Sequence, residues 1–524
     1  TDITATGNGS YGIYSGGSAS FTNITANSNG ANGLYDEDGT SIFDNCTANS
    51  NTGDGIYTAG NGTFSNCTAN NNASGRGIWC DGAGSFTTCE TDNNFSDGIY
   101  ASDGSDFMGC DAGGNGGDGL YAGGNSTFFG CTATNNGNGG MLCSGTGDFS
   151  GCVSTGNTGG YGLYCGSTGT FFGCTSGSNG STGISAGNGS STVDGCDVTN
   201  NGGAGVSVGW SGTFNSLTIT GNGGTGISAG NSSTFTDCEL GNNAGSGISV
   251  GQGTSYFTDI TISNSSSGRG IYNGGTGEFV NVTVSGSSSD GIYVEGSGTS
   301  YFTDIQVANS SAGRGIYNGG TGEFVNVTVS GSSSDGIYTG ASTSLNNCSS
   351  SSNGGYGIWV ESAGFLTNCA ADGNSTGIYV GAYSSEIINS LATNNSTYGM
   401  ELLNSSTLIQ NCTVSDNGTG VFAAGTSGPA FMNVILYDNT TELDGESGST
   451  YTIDYSDVKG GETFGAWATG SGNIDADPMF AGVSDYELQD GSPCIDTGNP
   501  GVQYNDADGS RNDMGAYGGP NGDW

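Results

Sequence analysis

The chain has 524 residues, with 48 acidic against 5 basic side chains and no histidine, giving a net charge of −43. Phosphate backbones and anionic lipid are bound by clustered cations, so this balance excludes nucleic-acid binding and disfavours docking on acidic membranes. Chemistry that needs an imidazole is excluded as well.

Glycine supplies 106 residues without the every-third rule of collagen. A disordered Gly/Ser/Asn-rich chain would not place its apolar residues in register, and this one does. From Thr1 to about Val434 the sequence varies the theme of residues 55–69, GIYTAGNGTFSNCTA. The apolar residue after the glycine recurs at twenty positions from Ile13 to Val421, at spacings of 20 to 24 residues. A fixed period of this size is the signature of a solenoid.

Each repeat reads as three short strands. The first places Ile of "GIY" and the residue two beyond it inward and a Tyr, Trp or Ser outward. The second carries an aromatic, from Phe21 through Phe324, and the third begins at a Cys or aliphatic site, from Ile3 through Cys46 to Val434. Asn-rich turns such as Asn70-Asn71-Asn72 close the repeat, because Asn tolerates left-handed backbone. Parallel strands joined by crossovers wind right-handed. The predicted fold is therefore all-β: a right-handed, single-stranded parallel β-helix of about 20 coils of 21–22 residues over 1–434, followed by a non-repeat capping or assembly region at 435–524.

Twelve of the sixteen cysteines fall in the third-strand column and interchange with Leu, Ile and Val, which predicts reduced, packed thiols. Cys143 and Cys165 share another inward column. Residues 268–293 and 313–338 are identical, so the rod has lengthened by copying coil pairs. The chain opens on a third strand, Ile3-Thr4-Ala5, an uncovered β-edge that reads either as the start of a fragment or as an edge capped by another copy. No apolar run is long enough for a membrane helix. The first residues carry no signal-peptide pattern, so an exported protein would be numbered from its mature form.

Beyond Val434 the segments NIDADPMF (Asn473–Phe480), DYELQDGSPCIDTGNP (Asp485–Pro500) and NDADGSRNDMGAYGG (Asn505–Gly519) resemble the C-terminal region of secreted bacterial and archaeal surface proteins of the choice-of-anchor Q type. The coils likewise resemble the pectate-lyase-like superfold, many of whose members cleave or epimerise polysaccharides. The resemblance implies an extracellular or cell-surface location. It implies a fold rather than a reaction.

Asp506, Asp508, Asp513 and Asp496 have oxygen-rich spacing that suits Ca²⁺, the one cofactor considered; the alternative is an acidic turn. Sequons at Asn45, Asn66, Asn281, Asn326 and Asn411 are candidate glycosylation sites, because the middle residue points inward and Asn points out. Arg269 and Arg314 sit at the same bend and read as exposed structure, and no catalytic residue is assigned. The leading expectation is a structural protein that partners itself, end to end or laterally, in a filament, sheath or surface coat. A carbohydrate-binding β-helix using Tyr57, Trp79, Tyr100 and Trp359 is the alternative, with a polysaccharide lyase third.

Overall fold

The computed structural model describes residues 1–381, 383–463 and 469–522. The fold is an all-β, right-handed parallel β-solenoid of about 22 turns. Packing divides it into two units, Thr1–Gly251 and Gln252–Trp524. Among the described residues, no helix is long and apolar enough to cross a membrane.

In the first unit the first strands stack in parallel with like over like: Ile56 pairs with Ile78, and Ile99 with Leu120. Ile56 and Thr58 are buried while Tyr57 between them is half-buried, the alternation a strand imposes. The second strands carry phenylalanines stacked face to face, with centroids 4.6–4.9 Å apart from Phe43 to Phe171. This spacing is the inter-strand distance itself. It explains the glycine two residues before many of them: a Cβ on Gly84 would lie 2.2 Å from the Phe86 ring.

Between second and third strands the chain turns on one left-handed residue: Asn23, Asn45 and Asn66, then Thr88, then glycines such as Gly109 and Gly130. In Gly212–Thr220 this residue, Ser216, lies within an otherwise continuous strand. Of Asn70-Asn71-Asn72, Asn71 is left-handed as expected, but Asn72 is fully buried. It belongs to a ladder from Asn29 to Asn243. Each side-chain oxygen accepts from the backbone N–H and amide of the asparagine one coil earlier, and many of the amides donate to a backbone carbonyl of the previous coil. All these amides would be costly if unpaired; the register satisfies them together.

The second unit repeats the plan. Phe257, Phe279, Phe302 and Phe324 stack at 4.4–4.9 Å, and the ladder reappears from Asn353 to Asn439. Parallel stacking runs on past Val434: Leu443 aligns with Val421, Ile453 with Phe431 and Val458 with Leu436. That coil lacks the "GI" motif, so periodicity alone misses it. Residues 475–522 then lie along the flank of the last coils, where Ile435, Cys494 and Met514 form a small core with Tyr437, Ile474, Phe480 and Leu488. All sixteen cysteines are free and buried.

Candidate functional site

The outward positions beside "GI" carry the most organised surface chemistry. Three times, RGI(W/Y) is followed 21 residues later by DGIY: Arg76 and Asp97, Arg269 and Asp290, Arg314 and Asp335. One coil is 21 residues here, so each aspartate lands on its arginine. The Nε–H groups donate to the carboxylates at 2.9, 3.0 and 2.9 Å. Each guanidinium also lies over two rings of adjacent coils. For Arg76 these are Trp79 at 4.3 Å and Tyr100 at 4.1 Å; for Arg269, Tyr272 and Tyr293; for Arg314, Tyr317 and Tyr338. A partly exposed ion pair and a cation–π contact contribute about 0.5–1 kcal/mol each.

The aspartates bond to the backbone too. Asp54 accepts the Arg76 N–H at 2.7 Å, and Asp290 accepts that of Arg314 at 3.0 Å. Burial raises the Asp54 carboxyl above its usual range. A hollow of about 260 Å³ beside Arg76 is lined by Asp54, Ser74, Ser96 and Trp79. The rings of the stripe stack on one another: Tyr35 on Tyr57 at 4.8 Å, Tyr100 on Tyr121 at 4.9 Å, Tyr293 on Tyr317 at 4.4 Å. Their faces therefore meet neighbouring rings and their edges meet water. Trp79 and Trp359 stand edge-on to Tyr57 and Tyr338. A sugar stacks on a ring face, so this arrangement suits carbohydrate less than the sequence suggested.

Of the four aspartates proposed for Ca²⁺, Asp513 lies close enough to Asp506, Asp496 and Asp508 to feel their charge. Asp506 accepts backbone N–H groups of Asp513 and Gly519, Asp513 accepts that of Asp496 at 2.7 Å, and exposed Asp508 accepts that of Ser510 at 2.8 Å. Among the described residues, no three acidic or thiol groups are placed to hold a metal. These carboxylates organise the loop. Of the sequons, Asn45, Asn66, Asn281 and Asn326 are exposed at left-handed corners. Asn411 corrects the expectation: it is fully buried, donating to Asn512 Oδ1 and the Asp513 carbonyl, because the C-terminal segment covers its corner. Ile3-Thr4 pairs in parallel with Ile24-Thr25, and Ile3 is exposed.

Sequence reasoning missed how that segment is held. The corner asparagines Asn389, Asn411 and Asn433 receive it: Asn389 donates to the carbonyls of Ala516 and Gly518, and Asn433 accepts the Asn499 N–H. The available signal was the column of asparagines one residue before the Cys site. A cleft of about 600 Å³ opens between the corner residues Asp416 and Asp438 and the Phe480–Tyr486 hairpin. In the small core, the Cys494 thiol donates to buried Asp457 at 3.2 Å. Burial pushes Asp457 up to about 6, Asp513 to about 6 and Glu442 to about 7. These groups stabilise the folded state fully below their unfolded values near 4, and that stability is lost as pH rises through 6–7. Hydrogen exchange corrected for intrinsic rates is expected to find residues 473–522 better protected at pH 5 than at pH 8; equal or reversed protection would refute this.

The model for the right handed beta helix region matches residues 11–158, 76–217, 209–344, 251–391 and 338–478. No curated protein sequence matches the chain. Among solved structures the chain is similar to the pectate lyase Pel9A, at 14% identity over 71% of this chain and 87% of that one, with a TM-score of 0.27. It is also similar to the Agl-KA catalytic domain (14% identity, 72% and 62%, TM-score 0.24) and the periplasmic alginate epimerase AlgG (10%, 75% and 78%, TM-score 0.24). Likeness at this level names no substrate for this chain.

Proposed function

The chain belongs to the right-handed β-helix family, and from that premise we propose an extracellular structural protein that assembles with itself, end to end or side by side, into a filament, sheath or surface coat. The reading is of a non-catalytic β-solenoid. One observation carries it: of the chain's five cations, Arg76, Arg269 and Arg314 are each committed to an aspartate and two rings of adjacent coils, Lys459 is paired with Asp438, and Arg511 donates to the carbonyls of Gly498 and Thr497. The polar chemistry of that face fastens coil to coil. The resemblance of the C-terminal segments to surface proteins supports the location.

Lateral contact has a natural locus in Met108, Phe129 and Phe172, which are 50–62% exposed in one outward column. With a net charge of −43, copies repel at low ionic strength, so assembly would need screening or bridging by cations. Electron microscopy and light scattering should therefore find dispersed particles at about 10 mM salt and ordered assemblies as salt or CaCl₂ is raised. Monomers under every condition at high protein concentration, or turnover of a polysaccharide, would defeat the proposal.

A further inference from the structure

Within the second unit, the inward corner that elsewhere holds the asparagine ladder is occupied by serine in four successive coils: Ser265, Ser287, Ser310 and Ser332. Each is at most 2% exposed, and no hydroxyl among them has a protein hydrogen-bond partner. The rest of the corner follows the ladder's pattern. Where the residue is Asn, its amide donates to the carbonyl of a fixed third-strand position one coil earlier: Asn374 to Ser350, Asn395 to Ala371, Asn417 to Ala392. Ile262, Val284 and Val307 occupy that same position, in unbroken register with Val329 and Ser350. Ladder asparagines also accept the backbone N–H of their counterpart one coil before. Ser332 makes this donation to Asn353 at 2.9 Å, where the ladder resumes.

Replacing the asparagine amide by a hydroxyl frees roughly the volume of one water. The aliphatic side chains of these coils do not fill it. In Val414/Asn417 and Leu436/Asn439 a bulky residue and the amide are buried together, so the two occupy different space. We propose that Ser287, Ser310 and Ser332 each bind one buried water, forming a file of three that takes over the ladder's hydrogen bonds. Each water would have three partners: the serine hydroxyl, the carbonyl of Ile262, Val284 or Val307, and the N–H of the preceding serine. Three is the usual number for a buried water. The mixture of donor and acceptor selects water over a monovalent cation, which an inward N–H would oppose. The file's length follows from copying: Ser287 and Ser332 occupy equivalent places in the identical segments 268–293 and 313–338.

The test is a crystal structure of the whole chain at about 1.8 Å, together with the variant Ser287→Asn/Ser310→Asn/Ser332→Asn. Ordered density within hydrogen-bond distance of the three hydroxyls is expected. In the variant the amides should displace the waters, continue the ladder and raise the thermal midpoint by several degrees. Dry, side-chain-filled corners in the wild type would overturn the proposal, and so would a variant whose midpoint falls from overpacking.

Discussion

Raising the pH above 9 is expected to destabilise this protein progressively and to unfold it. Burial pushes Cys143, Cys238 and Cys412 from 9.0 up to about 12, and Cys80 and Cys165 to about 11. Between 9 and those values the unfolded chain has released protons that the folded chain keeps, so stability is complete below 9 and declines as pH climbs through the window. At pH 10 each such thiol costs about 1.4 kcal/mol, and five of them approach the whole margin of an ordinary domain. Four of the five lie in Thr1–Gly251, so that unit should lose structure first. Circular dichroism followed against pH, with a thiol reagent present, measures both effects. Native protein should react slowly at pH 8, and reactivity should rise with the loss of β signal. An unchanged β signal to pH 11 would refute the account.

The second large effect is expected at Asn136, in the middle of the buried ladder. Its oxygen accepts from the backbone N–H and amide of Asn115, and its own amide donates to Ala112 and Asn157, all at 2.9–3.0 Å. Asn136→Leu fills the same space but strands the Asn115 N–H and the Ala112 carbonyl, at a cost of about 3–6 kcal/mol. Asn136→Asp is the sharper probe. A neutral carboxyl can still donate to one oxygen, whereas a carboxylate would confront Ala112 and Asn157 with charge in a buried place. The folded pKa of the new group is thereby raised, so stability is greatest below about pH 4 and lost as pH rises. Thermal melts should bring the Asp variant toward wild type at low pH while the Leu variant stays low. Identical, pH-independent losses would remove the ladder from the account of stability.

The columns of Ile, Phe and Cys were legible because repetition does what a single strand cannot. One Phe after a glycine is ambiguous, but fourteen at one register define a face. Asn72 was not legible, since an asparagine in a polar turn looks the same whether it points in or out; only the neighbouring coil's Asn94 decides. The coil around Leu443 escaped because its register is held by backbone pairing without the motif. Arg269 and Arg314 read from the sequence as exposed bend residues. What was missing was that a 21-residue coil sets Asp97 against Arg76, a relation visible only once the period is converted into height. Asn411 fails for a different reason: its burial is imposed by residues about a hundred positions away, which no local pattern encodes.

The ladder also sets a chemical clock. Asn115, Asn136, Asn179, Asn201 and Asn222 each precede a glycine, the dipeptide most prone to spontaneous deamidation, in which the next backbone nitrogen attacks the side-chain carbonyl. In the folded coils that nitrogen is held: Gly116 donates to Asn94 at 2.9 Å, Gly137 to Asn115 at 2.7 Å and Gly180 to Asn157 at 2.7 Å. Molecules that stay wound keep their amides. Those left unwound acquire aspartates at the very places that must be neutral to rewind, so each day spent unfolded makes the return harder.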